Sequence, residues 1–344
     1  MSRPLGLWLR LLCSPPDRRR QMRAPIRRGR ALANVLSLLI VGVLVLAFPC
    51  IASAYNWPIK PFHQAHPIRG QLNDPRMNGP VFDSSSSHTF HFGIDISAPD
   101  GTAVYAVAPG RVHYVDKSAL GVQSKKGHSS FEYWHIRFAV PNKVHVKLHQ
   151  LLGYIDVNRH HVHFAEWRGG HYINPLRRGA LTPYTDTTPP TIASLSSYNG
   201  AYHDLANATL SGTANITANI FDTPQIPSNW PWARVTPSWI DWRVIAPNGQ
   251  SVKLGHWDLS HALCNKDPLT IFSPGDYANS KRGPGNYNYW LGHSWNTTFF
   301  PNGTYWLIVT ASDIRSNTTT KITSFSVLNT VPPAPTKALS TSPA

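Results

Sequence analysis

The chain has 344 residues, 42% of them hydrophobic and 14% charged, enough for a sizeable core and about two domains, which excludes wholesale disorder. Thirty prolines, 23 glycines, 12 Trp, 13 Tyr and 13 Phe, set against few lysines and glutamates, fit strands and ordered loops better than exposed helices. The formal net charge of +15 points towards nucleic acid only until its position along the chain is considered.

Residues 1–30 hold nine arginines and one acid, Asp17, so +8 of the charge sits at the front and +7 remains in the body. That remainder is too diffuse for a nucleic-acid groove and suits an anionic surface, such as a cell-wall polymer or a membrane face. Residues 31–49, ALANVLSLLIVGVLVLAFP, are uncharged and apolar and run into the small-x-small pattern Ala52-Ser53-Ala54. Residues 1–54 are therefore expected to be a secretory signal peptide, with an uncleaved membrane anchor as the alternative and Met1 or Met22 as the start. Either way the body is expected outside the cytoplasm, secreted or wall-associated, meeting a membrane only through that segment. Cleavage after Ala54 leaves Cys264 as the sole cysteine, so stability must come from packing or a metal instead of an internal disulfide.

Residues 55 to about 88 show no sustained periodicity and end in a serine cluster, Ser84 to Ser87, which reads as an ordered lead-in loop. Short antiparallel strands follow in TFHFGIDISAPDGTAVYAVAPGRVHYVD, between the turn signals Pro99-Asp100-Gly101 and Pro109-Gly110. Further strands are expected in FEYWHIRFAV (131–140), from Val144 to Leu152, in LLGYIDV (151–157) and in HVHFAEW (161–167), closing a first domain over residues 55–184. TDTTPPT, residues 185–191, is polar and proline-bearing and marks a linker. Residues 192–330 carry Thr-, Asn- and aromatic-rich strands at sandwich-like spacing. They end in a hairpin in which Tyr305, Leu307, Val309 and Ala311 share one face and Asn302-Gly303 and Ser316-Asn317 form turns. That hairpin resembles the closing hairpin of bacterial immunoglobulin-like or fibronectin-like domains, which implies a C-terminal β-sandwich. Residues 331–344 are expected to be a disordered tail, and the fold class is mainly β.

Three pieces of the first domain stand out: His91-Phe92-Gly93-Ile94-Asp95, Tyr133-Trp134-His135 and His161-Val162-His163. In an extended strand, side chains at i, i+2 and i+4 share a face. His91 and Asp95 are thus expected to point the same way with open space at Gly93, and His161 and His163 to face together while Val162 enters the core. Two such strands side by side offer nitrogen and carboxylate ligands for zinc, with a position left for water. Short histidine patterns arise by chance in a chain with 17 His, so the flanks decide. Asp95 is followed by IxxPxGTxVYAVxxGRV, and His163 by an aromatic, after a Tyr-x-His and a stretch ending in LLG.

In that order and context, residues 88–167 resemble the lysostaphin and LytM type of zinc metallopeptidase, which cleaves peptidoglycan peptides. The resemblance implies an antiparallel β-sheet peptidase domain with zinc held by His91, Asp95 and His163 and catalysis assisted by His161 and His135. It further implies that neutral His161 accepts a proton from water acidified by the zinc, while His135 donates to the developing oxyanion or leaving amine. The expected function is a secreted zinc endopeptidase of bacterial peptidoglycan, with a non-catalytic cell-wall-binding or regulatory module as the alternative. The sequence departs from the family pattern where Arg159 and His160 replace small residues before HxH, where Lys143 to Gln150 replace a glycine-bearing stretch, and where the glutamate expected after HxHF stands at Glu166. These changes place substrate choice on altered loops. His88, His113, His145, His149 and His160 are expected at the surface or in hydrogen-bonded loops, and Trp230, Trp232, Trp239 and Trp242 in a sandwich core, with glycan stacking as the alternative.

Overall fold

The computed structural model describes residues 54–76, 89–124, 129–263, 266–276, 278–281 and 283–330. The signal-peptide, serine-cluster, His88, Cys264 and tail expectations fall outside the described residues. Among the described residues no helix is long and apolar enough to cross a membrane.

The first set of strands runs β1 (Ile68–Gly70), β2 (Pro75–Arg76), β3 (Thr89–Phe90), β4 (Ile94–Ser97), β5 (Ala103–Tyr105), β6 (Gly110–Asp116) and β7 (Ala119–Gln123). It continues through β8 (Ser129–Trp134), β9 (Ile136–Phe138), β10 (His145–Val146), β11 (Leu151–Ile155), β12 (His161–Arg168) and β13 (His171–Ile173). The main sheet has the order β1-β4-β12-β8-β7-β6-β10, with β13 also on β12, and a second sheet has the order β5-β11-β9. The long strands alternate as a half-buried sheet demands. Ile94, Ile96, Val162 and Phe164 are wholly buried in the core, while the residues between them face the other way. Burial of side chains of this size contributes about 1.5–3 kcal/mol each.

Three features depart from the sequence reading. The stretch read as a lead-in loop supplies β1, which pairs with β4 at the sheet edge, and β2, which pairs with β3; strands of three and two residues carry no periodicity to detect. His91 to Gly93 are not strand residues, so His91 and Asp95 are not related by one continuous pleat. The run 131–140 is cut at His135, whose φ of +67° ends β8 and starts β9 in the other sheet. A positive φ is uncommon outside glycine, and histidine is one of the residues that tolerates it.

The second set comprises β14 (Thr191–Tyr198), β15 (Tyr202–Asp204), β16 (Thr209–Leu210), β17 (Thr213–Phe221), β18 (Trp239–Ile245), β19 (Ser251–Asp258), β20 (Asn288–Asn296), β21 (Gly303–Ser312) and β22 (Thr318–Val327). They form sheets of order β15-β14-β17-β20 and β16-β22-β21-β18-β19, whose inner faces share one core. Tyr305, Leu307, Val309 and Ala311 all point into it. The linker segment is tied down: Asp186 accepts from Thr188 and Tyr184, and its backbone carbonyl accepts from Asn317.

The two sets are stitched together by the segment that carries β1 and β2. Asn73 Nδ2 donates to the carbonyls of Leu259 and His261 at 2.8 and 2.7 Å, and its Oδ1 accepts from the Leu263 backbone at 2.9 Å. Asp74 Oδ1 accepts from the Thr236 backbone, and Gln71 Nε2 donates to the Thr236 carbonyl.

Candidate metal centre

The register of β12 against β4 sets His163 opposite Asp95 and His161 opposite Ser97, and on its other edge β12 sets His163 opposite Trp134. Alternation then turns His161 and His163 away from the core that takes Val162. His91 arrives from the turn before β4, hinged at Gly93. A Cβ on Gly93 would lie 2.4 Å from the Phe164 carbonyl and 2.9 Å from the His163 ring, so the glycine does not leave open space, as expected from sequence, but is filled by the neighbouring strand.

His91 Nε2, Asp95 Oδ1 and His163 Nδ1 converge. The separations are 3.0 Å from His91 to Asp95, 3.2 Å from His163 to Asp95 and 2.6 Å between the two imidazoles. Ligands 2.0–2.2 Å from a tetrahedral zinc stand about 3.3 Å from one another, so the three atoms can close on one ion. Outer contacts fit as well. His91 Nδ1 lies 2.8 Å from the Gln71 carbonyl; with its proton donated there, the Nε2 lone pair faces the cluster. His163 Nε2 is buried without a partner, the nitrogen left to carry the proton when Nδ1 is the ligand. Arg76 Nη2 donates to the outer oxygen of Asp95 at 2.9 Å, which orients the carboxylate.

Electrostatics keep the donors in their binding forms. Burial lowers His91 and takes His163 to about 4, so both imidazoles are neutral at neutral pH. Burial opposes ionisation of Asp95, but the surrounding imidazoles and the Arg76 guanidinium outweigh it and hold the carboxyl well below its ordinary value.

His161 and His135 stand beside the cluster, their rings 4.7 Å apart, and burial pulls them down to about 4 and about 3. The positive φ at His135 is what turns it in from the end of β8. Arg69 on β1 approaches His161 Nδ1 to 2.5 Å through Nη2, which also donates to the Arg159 carbonyl at 2.8 Å. That carbonyl is 2.6 Å from Nδ1 as well, and Nδ1 cannot both donate to it and accept from Arg69. The carbonyl oxygen can take both donors, so the Nδ1 proton goes to it and the Nε2 lone pair of His161 faces the cleft, 3.5 Å from Asp95.

The five residues singled out from the sequence therefore meet at one cleft of about 390 Å³. Arg69 and Arg76 are further parts of it, and Gln71 holds His91 from behind; the sequence did not reveal them, because they lie on or beside strands too short to show a pattern. Trp230 and Asn279, on loops that connect the second set of strands, also stand in its wall. His149 stacks on Phe62 at 3.9 Å and His160 sits 3.3 Å from Asp100, away from the cluster. Trp242 is core, while Trp232 is 41% exposed. Glu166 turns to the opposite face of β12, wholly buried, where it receives Tyr55 Oη and Arg177, so its displacement does not shape the cleft. A second acidic group, Asp186, Asp222 and Asp313, lies where the linker meets the second set of strands; burial and the two neighbouring carboxylates push Asp222 up to about 8.

Residues 89–175, about a quarter of the chain, match the model of peptidase family M23. Among solved structures, a zinc-containing peptidase from Vibrio cholerae is 20% identical over 36% of this chain and 39% of its own, with a TM-score of 0.30. The catalytic domain of the prophage-encoded M23 protein EnpA from Enterococcus faecalis is 25% identical over 34% of this chain and 96% of its own, with a TM-score of 0.26. The catalytic domain of lysostaphin, an antimicrobial peptidase from Staphylococcus simulans, is 21% identical over 28% and 77%, with a TM-score of 0.23. The chain thus spans about two fifths of the Vibrio cholerae protein. Comparison with curated proteins gives no match.

Proposed function

We propose that the protein is an exported zinc endopeptidase that hydrolyses peptide bonds in bacterial peptidoglycan. The observation that carries this reading is the meeting of His91, Asp95 and His163 within ligand distance of one another, with two further neutral histidines on the same cleft; the family match over residues 89–175 supports it. His91 Nε2, Asp95 Oδ1 and His163 Nδ1 would hold the ion. Zinc, when bound, supplies Lewis acidity that polarises a carbonyl and makes water acidic enough to attack near pH 7. The neutral His161 imidazole accepts the proton of the attacking water at Nε2, and His135 donates to the oxyanion that develops on the scissile carbonyl or to the leaving amine. Trp134 and Phe92 line the cleft and limit the water around that charge, which strengthens both interactions.

Export rests on residues 1–54, and the +7 of the body favours residence beside anionic wall polymers. The two C-terminal sheets serve as an immunoglobulin-like module that docks or spaces the peptidase. Metal content and release of wall peptides, measured on the protein and on His163→Ala, test the catalytic reading: the variant is expected to lose zinc and nearly all release, and equal release by both would overturn it. The altered approach to β12, with Arg159 and His160, favours one other reading, a wall-binding module without turnover. In the same assay that module would bind sacculi and zinc but release nothing.

A further inference from the structure

The cleft beside the cluster is shared. Between Trp230 and Asn279, on loops that connect the second set of strands, lies Arg69, only 7% exposed. Its guanidinium stacks 4.1 Å from the Trp230 ring, and its backbone carbonyl accepts from Asn279 Nδ2 at 3.0 Å. With Nη2 held by Arg159 and His161, the side chain is fixed at both ends. Asp95 is the single carboxylate in the cleft wall, and Arg76 already occupies its outer oxygen. Among the described residues no carboxylate pairs with Arg69, and its Nε is buried with no hydrogen-bond partner.

A buried guanidinium without a counter-ion is costly, and a divalent ion in the adjacent cluster would add to the positive excess. The wall therefore lacks an anion. We propose that this cleft selects peptides carrying a free carboxylate beside the scissile amide, bound by Arg69 with Arg76 next to it, and that Trp230 positions Arg69 for that contact. The inference rests on the peptidase reading for the location of the scissile bond. Arg69 touches His161, so its free donors lie within about one residue of the reacting carbonyl, since consecutive Cα atoms are about 3.8 Å apart. With Nη2 engaged and Nε buried, Nη1 is the donor left to meet a carboxylate, and a neutral amide of the same shape offers no charge to pair. The aromatic face limits where the guanidinium can swing. A glycine-only bridge presents nothing to this wall.

The test uses a cross-linked stem-peptide dimer with free carboxylates and the same dimer with those carboxylates amidated. Binding of each to the metal-free full chain is measured calorimetrically, and cleavage of each by the zinc-loaded chain is measured separately. The acid form is expected to bind about 10- to 100-fold more tightly than the amide. Arg69→Gln should remove that ratio, and Arg76→Gln and Trp230→Leu should each reduce it. Thermal melting identifies a variant that has not folded, and Arg76→Gln, at a side chain 32% exposed, keeps the test open if Arg69→Gln does not fold. Equal binding of acid and amide, or an undiminished preference in folded Arg69→Gln, would overturn the proposal. A preserved preference with no cleavage of either dimer would instead defeat the peptidase reading and leave the carboxylate site standing.

Discussion

Gly93 shows how tightly one residue constrains the cluster. Its missing Cβ is the space used by the Phe164 carbonyl and the His163 ring, so Gly93→Val must push β12 away and take a ligand with it. The expected result is at least a tenfold loss of zinc affinity in a chelator competition and a loss of about 1–3 kcal/mol in chemical denaturation. The imidazoles also have a pH signature. Their lowered pKa values mean that the neutral, ligating form survives as the pH falls, so protons compete with the metal at His163 only as the pH drops through about 4. Two ordinary histidines would cost zinc about 100-fold in affinity between pH 7.5 and 5.5. Here the loss over that interval is expected to stay below about tenfold, as measured by competition titration. A 100-fold loss would show that the imidazoles are not buried as described.

At the scale of elements, β12 serves two faces. Its outward residues form the cluster and its inward ones anchor the core, and Glu166 continues the inward face three residues after His163. The bidentate contact of Arg177 and the Tyr55 hydroxyl fasten both the N-terminal stretch and residues 174–181 to that strand. Arg177→Ala leaves a fully buried carboxylate with only the Tyr55 hydroxyl and the longer contact of Arg168 at 3.4 Å, and is expected to cost about 3 kcal/mol in a denaturant titration. Combining it with Glu166→Gln should recover part of that loss, because the uncompensated charge is gone. The pair is a fastening and not a catalytic device, so the double variant should retain zinc.

On the scale of the whole molecule, the short segment Ile68 to Arg76 is the joint on which the cleft depends. It gives the sheet its edge strand, gives the cluster Gln71 and Arg76, and reaches across to the second set of strands through Asn73 and Asp74, both wholly buried. Asn73→Ala removes three hydrogen bonds between the two parts and is expected to cost about 2–4 kcal/mol. Calorimetry should then resolve two unfolding transitions where the unaltered chain shows one. A single undisturbed transition would mean that the parts are coupled elsewhere.

The strands of β4, β8, β11 and β12, and the five residues of the cluster, were legible because their pattern is local: alternation marks the strand, and spacing puts His161 and His163 on one side. The chain order of the motifs with their flanks was enough to single out the stretch that matches peptidase family M23. What no local pattern carries is how separate strands meet. The turn at His91, the left-handed backbone at His135 and the arrival of Arg69, Gln71 and Trp230 all follow from contacts between residues tens to hundreds of positions apart. Residue order sets which side chains can bind a metal; the packing of one sheet against distant loops decides which charges surround them.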